Sequence, residues 1–162
     1  MYRKLLMIAA ALAVSDAALA HGEKSHSRKP EHREISTEEK PFGHEGDPKK
    51  ATRTVRVEMS DRMRFTPSTL EVRRGEVVRF HVKNVGKTMH EMVLGTMDEL
   101  KEHAELMKKH PGMEHDEPHM AHVAPGTTGT LVWQFTKPGE FYYGCLVPGH
   151  FEAGMIGRIV VR

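Results

Sequence analysis

From Ala51 to the C-terminus, apolar side chains recur at every second position in short runs, separated by turns that contain Gly or Pro. A period of two places alternate side chains on one face of a pleated strand, so these runs argue for half-buried strands and against helices. Thr54–Met59 alternates. Val78–Lys83 sets Val78, Phe80 and Val82 against Arg79, His81 and Lys83, and Thr130–Phe135 repeats the pattern with Leu131, Trp133 and Phe135. Leu70–Val72, Phe141–Tyr143 and Ile156–Val161 are further candidates, with Arg73-Arg74-Gly75-Glu76 and Lys137-Pro138-Gly139-Glu140 as turns. Such a series predicts an all-β sandwich, for which about 110 residues is an ordinary size.

One segment breaks the rhythm. Thr96-Met97-Asp98-Glu99 has the form of a helix capping box, and Leu100, Ala104 and Met107 follow at helical spacing until Pro111-Gly112. A polar stretch rich in His and Met continues to Pro125-Gly126, so residues 96–125 read as a helical insertion between two strands. Connections of that length are more often functional or disordered than neutral.

The N-terminal third reads differently. Tyr2-Arg3-Lys4 is basic, Leu5–Val14 is apolar, and Ala18-Leu19-Ala20 is a small-residue cleavage signal. Residues 1–20 therefore have the pattern of a secretory signal peptide, and the apolar run is too short for a stable membrane span. The expected destination is the periplasm, with no membrane anchor after cleavage. Residues 21–50 contain only Ile35 and Phe42 as strong hydrophobes, among charges, Pro, Gly and the histidines His21, His26, His32 and His44. This composition predicts a disordered tail, with metal binding by its histidines as an open alternative. Cleavage after Ala20 would set the amine of His21 beside its imidazole, a second potential Cu(II) chelate.

Composition narrows the chemistry. A net charge of +2 argues against a nucleic-acid binder. A single cysteine excludes an internal disulfide, a CxxC redox pair and any four-cysteine cluster. Twelve histidines and eleven methionines stand out instead, and imidazole with thioether suits copper in both oxidation states.

The densest array is Gly144–Met155, which reduces to Cys145-x4-His150-x4-Met155. A trigonal copper site of two His and one Cys, with a weak axial Met, needs one more His, and His90 supplies it at the start of a strand after a turn. Pro148 and Gly149 bend the short loop on which three ligands converge. A buried structural cysteine would leave the rest of the array unexplained. A Cys–His nucleophile lacks any evident orienting group, and an axial Met favours copper over zinc.

Over residues 51–162 the chain resembles the cupredoxins, the small blue-copper proteins, and the Cys-x4-His-x4-Met spacing is more similar to rusticyanin and auracyanin than to plastocyanin. The resemblance implies a Greek-key β-sandwich and one type 1 copper held by His90, Cys145, His150 and Met155. Many cupredoxins place Asn or Asp directly after the first His to tie the ligand loops together; here Glu91 stands there. The insertion and the His-containing tail resemble the periplasmic copper-tolerance cupredoxins of bacteria.

That resemblance implies copper defence, by binding, buffering or oxidising the ion. The alternative is electron carriage with a redox partner protein, docking on an apolar patch of Leu146, Val147, Pro148 and Phe151. A dedicated enzyme is not expected: Leu146, not His, follows Cys145, and no His-x-His pair occurs. The protein is expected to act as a monomer, with no nucleic-acid partner. The insertion is expected to add a Cu(I) site drawn from His103, Met107, His110, Met113, His115, His119, Met120 and His122, unless Met107 merely packs the helix and the histidines are solvated.

Overall fold

The computed structural model describes residues 34–111, 113 and 116–162. Residues 1–33, which carry the expected signal peptide and His21, His26 and His32, lie outside that range, as does His115. The strands are β1 (His44–Glu45), β2 (Arg53–Ser60), β3 (Arg64–Thr66), β4 (Thr69–Val72), β5 (Val77–Asn84), β6 (His90–Gly95), β7 (Met120–Val123), β8 (Thr128–Gln134), β9 (Gly139–Gly144) and β10 (Ile156–Val161). The helix α1 spans Met97–Lys109.

Two five-stranded sheets face each other, ordered β1-β8-β5-β2-β3 and β4-β10-β9-β6-β7. Pairing is antiparallel except for β2 with β5 and β4 with β10. The alternation seen in the sequence decides which side chains point inward. Val55, Val57 and Met59 join Val78, Phe80, Val82, Leu131 and Trp133 from one sheet, and Met92, Leu94, Phe141, Tyr143, Ile159 and Val161 meet them from the other. This is the sandwich that the sequence predicts, with the helical insertion in place.

Strand β6 is buried along its whole length because both of its faces are covered. Met92 and Leu94 enter the sandwich core, while Val93 on the outer face packs with Leu100, Ala104 and Met107 of α1, with Met120 and with Leu146. The capping box forms as the sequence predicts: Thr96 Oγ1 accepts the Glu99 N–H, and the Glu99 carboxylate accepts the Thr96 N–H. The amphipathic helix thus clamps the outer side of the strand that begins with His90. The C-terminal end of the expected insertion is not irregular, since β7 pairs with β6 from His90↔Val123 to Val93↔Met120.

The expected disordered tail is corrected for residues 34–50, which belong to the same compact unit as the sandwich. Phe42 is 1% exposed and stacks on Trp133 with ring centroids 5.1 Å apart. The Trp133 Nε1–H donates to the Phe42 carbonyl at 3.0 Å, and β1 pairs with β8. One aromatic side chain finding a slot beside the single tryptophan is enough to dock a polar segment, because a buried ring brings a large apolar area with few degrees of freedom.

Candidate metal centre

Three side chains meet where β6 begins and the β9–β10 loop starts. The ligating atoms of His90, Cys145 and His150 all lie within 4.8 Å of one another. Cys145 Sγ is 3.3 Å from His150 Nδ1 and 3.8 Å from His90 Nδ1, and the two imidazole centroids are 4.9 Å apart. Cys145 and His90 are fully buried, whereas His150 is partly exposed at the rim.

The β9–β10 loop is held by its own backbone. The Cys145 N–H donates to the Met155 carbonyl at 3.1 Å, the Met155 N–H to the His150 carbonyl at 3.1 Å, and the His150 N–H to the Val147 carbonyl at 2.9 Å. Gly149 and Gly154 have φ of 88° and 84°, left-handed values that glycine adopts without a Cβ clash. Met155 is therefore brought beside Cys145, fully buried in the same core cluster. Of the four residues read from the sequence as ligands, His90, Cys145 and His150 come together, and Met155 is buried in the same core cluster as Cys145.

Two carboxylates surround them. Asp61, in the turn between β2 and β3, is the residue that sequence reasoning missed. It accepts the Lys87 N–H at 2.8 Å, the Thr88 hydroxyl at 2.9 Å and the His90 Nε2–H at 3.1 Å. The Lys87 amide above all, then the Thr88 hydroxyl, hold its carboxyl well below the usual carboxylate range. With Nε2 protonated toward Asp61, Nδ1 of His90 keeps its lone pair facing Cys145, the orientation a metal-ligating imidazole needs. Asn84, fully buried, shapes the same turn by donating to Thr88 and Val123 carbonyls at 2.8 Å.

Glu91 takes the loop-tying place expected of Asn or Asp. Its backbone N–H donates to Cys145 Sγ at 3.4 Å, its Oε1 accepts the Leu146 N–H at 2.9 Å, and its Oε2 meets His122 Nδ1 at 2.9 Å. It is 4% exposed, so these bonds are made away from water.

The donor set fits copper: one sulfur, two imidazole lone pairs and a buried thioether, on a frame fixed by hydrogen bonds. Burial pushes the Cys145 thiol up to about 12, and burial, then the neighbouring His90, lowers His150. The lowering favours the neutral, ligating form of His150, while the sulfur holds its proton until a cation displaces it.

The remaining candidates disperse. Met107 is buried with Leu100 and Ala104, so it packs the helix. His110 caps α1 and is exposed. His44 lies in β1 with Nδ1 2.8 Å from the Glu45 carbonyl. His119 and His122 do not share an ion in a turn: the first packs on Phe42 and Trp133 with centroids 5.9 and 6.0 Å away, and the second turns to Glu91. Burial, first of all, pushes His119 down to about 4, and its Nδ1 is buried without a hydrogen-bond partner among the described residues. The expected apolar patch also changes, because Leu146 is 1% exposed and Phe151 is partly buried against the α1 cluster. Among the described residues no helix is long and apolar enough to cross a membrane.

Comparison with known proteins points to the same metal and fold. The sequence model for the family described as copper binding proteins, plastocyanin/azurin family, matches residues 51–162. The chain is similar to the copper-resistant cuproprotein CopI of Rubrivivax gelatinosus, at 57% identity over 122 residues, covering 75% of this chain and 74% of that protein. It is 33% identical over 150 residues to the copper-resistant cuproprotein CopI of Pseudomonas aeruginosa, covering 75% of this chain and 82% of the relative. The solved structure of auracyanin B superposes with a TM-score of 0.62 at 23% identity, over 75% of this chain and 96% of that one, a likeness of fold.

Proposed function

The chain belongs to the plastocyanin/azurin family of copper-binding proteins, and on that premise we propose that it serves copper resistance by binding copper outside the cytoplasm. One ion is held by His90, Cys145, His150 and Met155, and export is directed by residues 1–20. The observation that carries this reading is the convergence of the His90, Cys145 and His150 ligand atoms within 4.8 Å. Bound there, copper supplies a one-electron couple between Cu(I) and Cu(II). The chain's own part is to present a thiolate and two oriented imidazoles, and to shield them with Met155, Glu91 and Leu146. The role is binding and buffering rather than dedicated catalysis. Two relatives named for copper resistance, at 57% and 33% identity, support that role. Electron carriage is less favoured, since Leu146 and Phe151 are packed inward and Glu152 beside them pairs with Lys108 at 2.6 Å, leaving a smaller apolar docking face.

Titration of the mature protein with Cu(II) tests the site: one equivalent should produce an intense visible thiolate-to-copper band. Cys145→Ser should abolish it, because a hydroxyl cannot replace the soft thiolate. Met155→Leu should keep copper bound and shift the colour. A band surviving in the Ser variant would remove Cys145 from the site. For the role, deletion of the gene should cause copper sensitivity without a respiratory defect; the reverse pattern would favour electron carriage.

A further inference from the structure

The strands carry a second group of functional side chains to the end of the sandwich opposite the metal centre. Asp61 follows β2 and Met155 precedes β10, whereas Arg53 opens β2 and Arg162 follows β10. β2 holds eight residues, which sets its two ends about 25 Å apart. An open cleft of about 840 Å³ lies at the far end, within the size range of ligand sites. Its walls carry four arginines, Arg53, Arg73, Arg74 and Arg162, against two glutamates, Glu71 and Glu76. These side chains sum to +2, and a positive excess remains when the terminal carboxylate of Arg162 is counted. The whole chain carries only +2, so the concentration of charge is local.

Three segments bring the arginines together, and backbone bonds hold them. The Arg74 N–H donates to the Arg162 carbonyl at 2.7 Å and the Arg162 N–H to the Val72 carbonyl at 3.0 Å, tying the turn after β4 to the end of β10. Within that turn the Glu76 N–H donates to the Arg73 carbonyl at 3.0 Å, and Glu76 Oε2 accepts the Arg73 N–H at 2.9 Å. Glu76 Oε1 lies 3.8 Å from Arg53 Nη1, which also donates to the Glu71 carbonyl at 2.8 Å. Glu76 therefore closes the turn and orients Arg53 at once. Glu71 meets Arg162 at 3.4 Å in an exposed pair, which holds weakly. Among the described residues nothing pairs with the guanidinium groups of Arg73 and Arg74, which stand exposed side by side on the cleft wall.

We propose that this cleft binds a phosphomonoester, its phosphate held by Arg73 and Arg74 and its organic part lying toward Arg53 and Arg162. A guanidinium presents a planar fork of donors that matches two phosphate oxygens, and it keeps its charge throughout the working pH range. The positive excess of the lining favours a dianion over a monoanion, and the cleft walls focus that field on the ligand. The volume exceeds what a bare phosphate ion fills, so the esterified group has room. A soluble ester and the headgroup of a lipid such as phosphatidic acid present the same chemistry to the arginines. The site goes beyond copper binding and uses no residue of the metal centre, so an anion held here leaves that end of the molecule open.

The test is titration of the mature protein with glycerol 3-phosphate, followed by calorimetry and by the labelled guanidinium signals of Arg73 and Arg74. A second arm is flotation with phosphatidylcholine vesicles, with and without phosphatidic acid. Arg73→Gln/Arg74→Gln removes both forks at exposed positions, and its urea midpoint checks the fold. Lys101→Gln/Lys109→Gln on α1 lowers the net charge equally, away from the cleft. Wild type and the lysine variant should bind one glycerol 3-phosphate, and the arginine variant should bind it roughly tenfold more weakly or worse. Both guanidinium signals should shift in wild type, a readout that does not depend on the variant's stability. Lactate, a monoanion of similar size, should leave them in place. Binding to phosphatidic acid vesicles alone, lost in the arginine variant, would assign the phosphate to a lipid and support the site. Equal binding by wild type and the arginine variant, or an equal loss in the lysine variant, would overturn the proposal. So would lactate binding as tightly as the ester, or no binding in either arm.

Discussion

Loading the metal centre must expel a proton, and the structure sets its cost. Burial raises the Cys145 thiol from an ordinary 9.0 to about 12. At pH 7 an ordinary thiol of that pKa costs about 3 kcal/mol to ionise, and the buried one costs about 7 kcal/mol. The ion therefore repays about 4 kcal/mol more than it would at an exposed cysteine. Because the folded pKa is raised, the sulfur stays protonated throughout the neutral range. Affinity should then rise tenfold per pH unit, or about thirty-fold from pH 7.5 to 9. His150 is shifted down, so it is neutral across that window and adds no second proton. The assay is competition for Cu(II) with a chelator whose own pH dependence is known, alongside a direct count of protons released in weakly buffered solution. Cys145→Ser should lose the slope. An affinity changing less than twofold over that window, or no proton released per ion, would show that the sulfur is already ionised and that burial does not govern it.

Three further outcomes are expected. Asp61→Ala removes the acceptor of His90 Nε2–H, 3.1 Å away, and should weaken copper binding by roughly ten- to a hundred-fold while the fold persists, measured by the same competition; an unchanged affinity would show that His90 is oriented by its strand alone. Phe42→Ala should cost about 3 kcal/mol in urea unfolding and shift the emission of Trp133, the only tryptophan; loss of neither would mean that residues 34–50 do not dock. His119 falls from 6.5 to about 4 on folding, so stability should be full above about pH 6.5 and decline as pH falls toward 4. Discounted for partial exposure the loss is about 2 kcal/mol, and His119→Leu should flatten it in denaturation series at pH 4.5 and 7.

The sandwich and most of the candidate metal cluster were legible because both are written in local order. Ile156–Val161 is a strand with the bounds its alternation predicts, and Thr54–Met59 and Val78–Lys83 each extend by only a residue at either end. The candidate array is likewise local, three of its four residues sharing one loop. Asp61 was hidden because nothing in Ser60-Asp61-Arg62 relates it to His90, 29 positions away; parallel pairing of β2 with β5 brings the two together. Strand β7 was hidden inside a polar, His-rich stretch, since its outward His122 meets Glu91 rather than following a simple alternation. Phe42 was averaged away among charged neighbours, because composition over a window cannot register one ring with one matching slot.

The ladder between β9 and β10 runs from Ile156↔Gly144 to Val161↔Gly139, and the Cys145–Met155 backbone bond adds one rung beyond it. Both ends of the ligand loop are thereby pinned by the strand pairing that flanks it, in addition to the loop's own backbone bonds. Changing the length of such a closed segment alters its closure entropy only slowly. The loop thus behaves as an interchangeable part, free to be rewritten by selection or by design. A lineage can retune the metal's grip by editing the stretch between Cys145 and Met155, while the two-sheet frame behind it goes on folding as before.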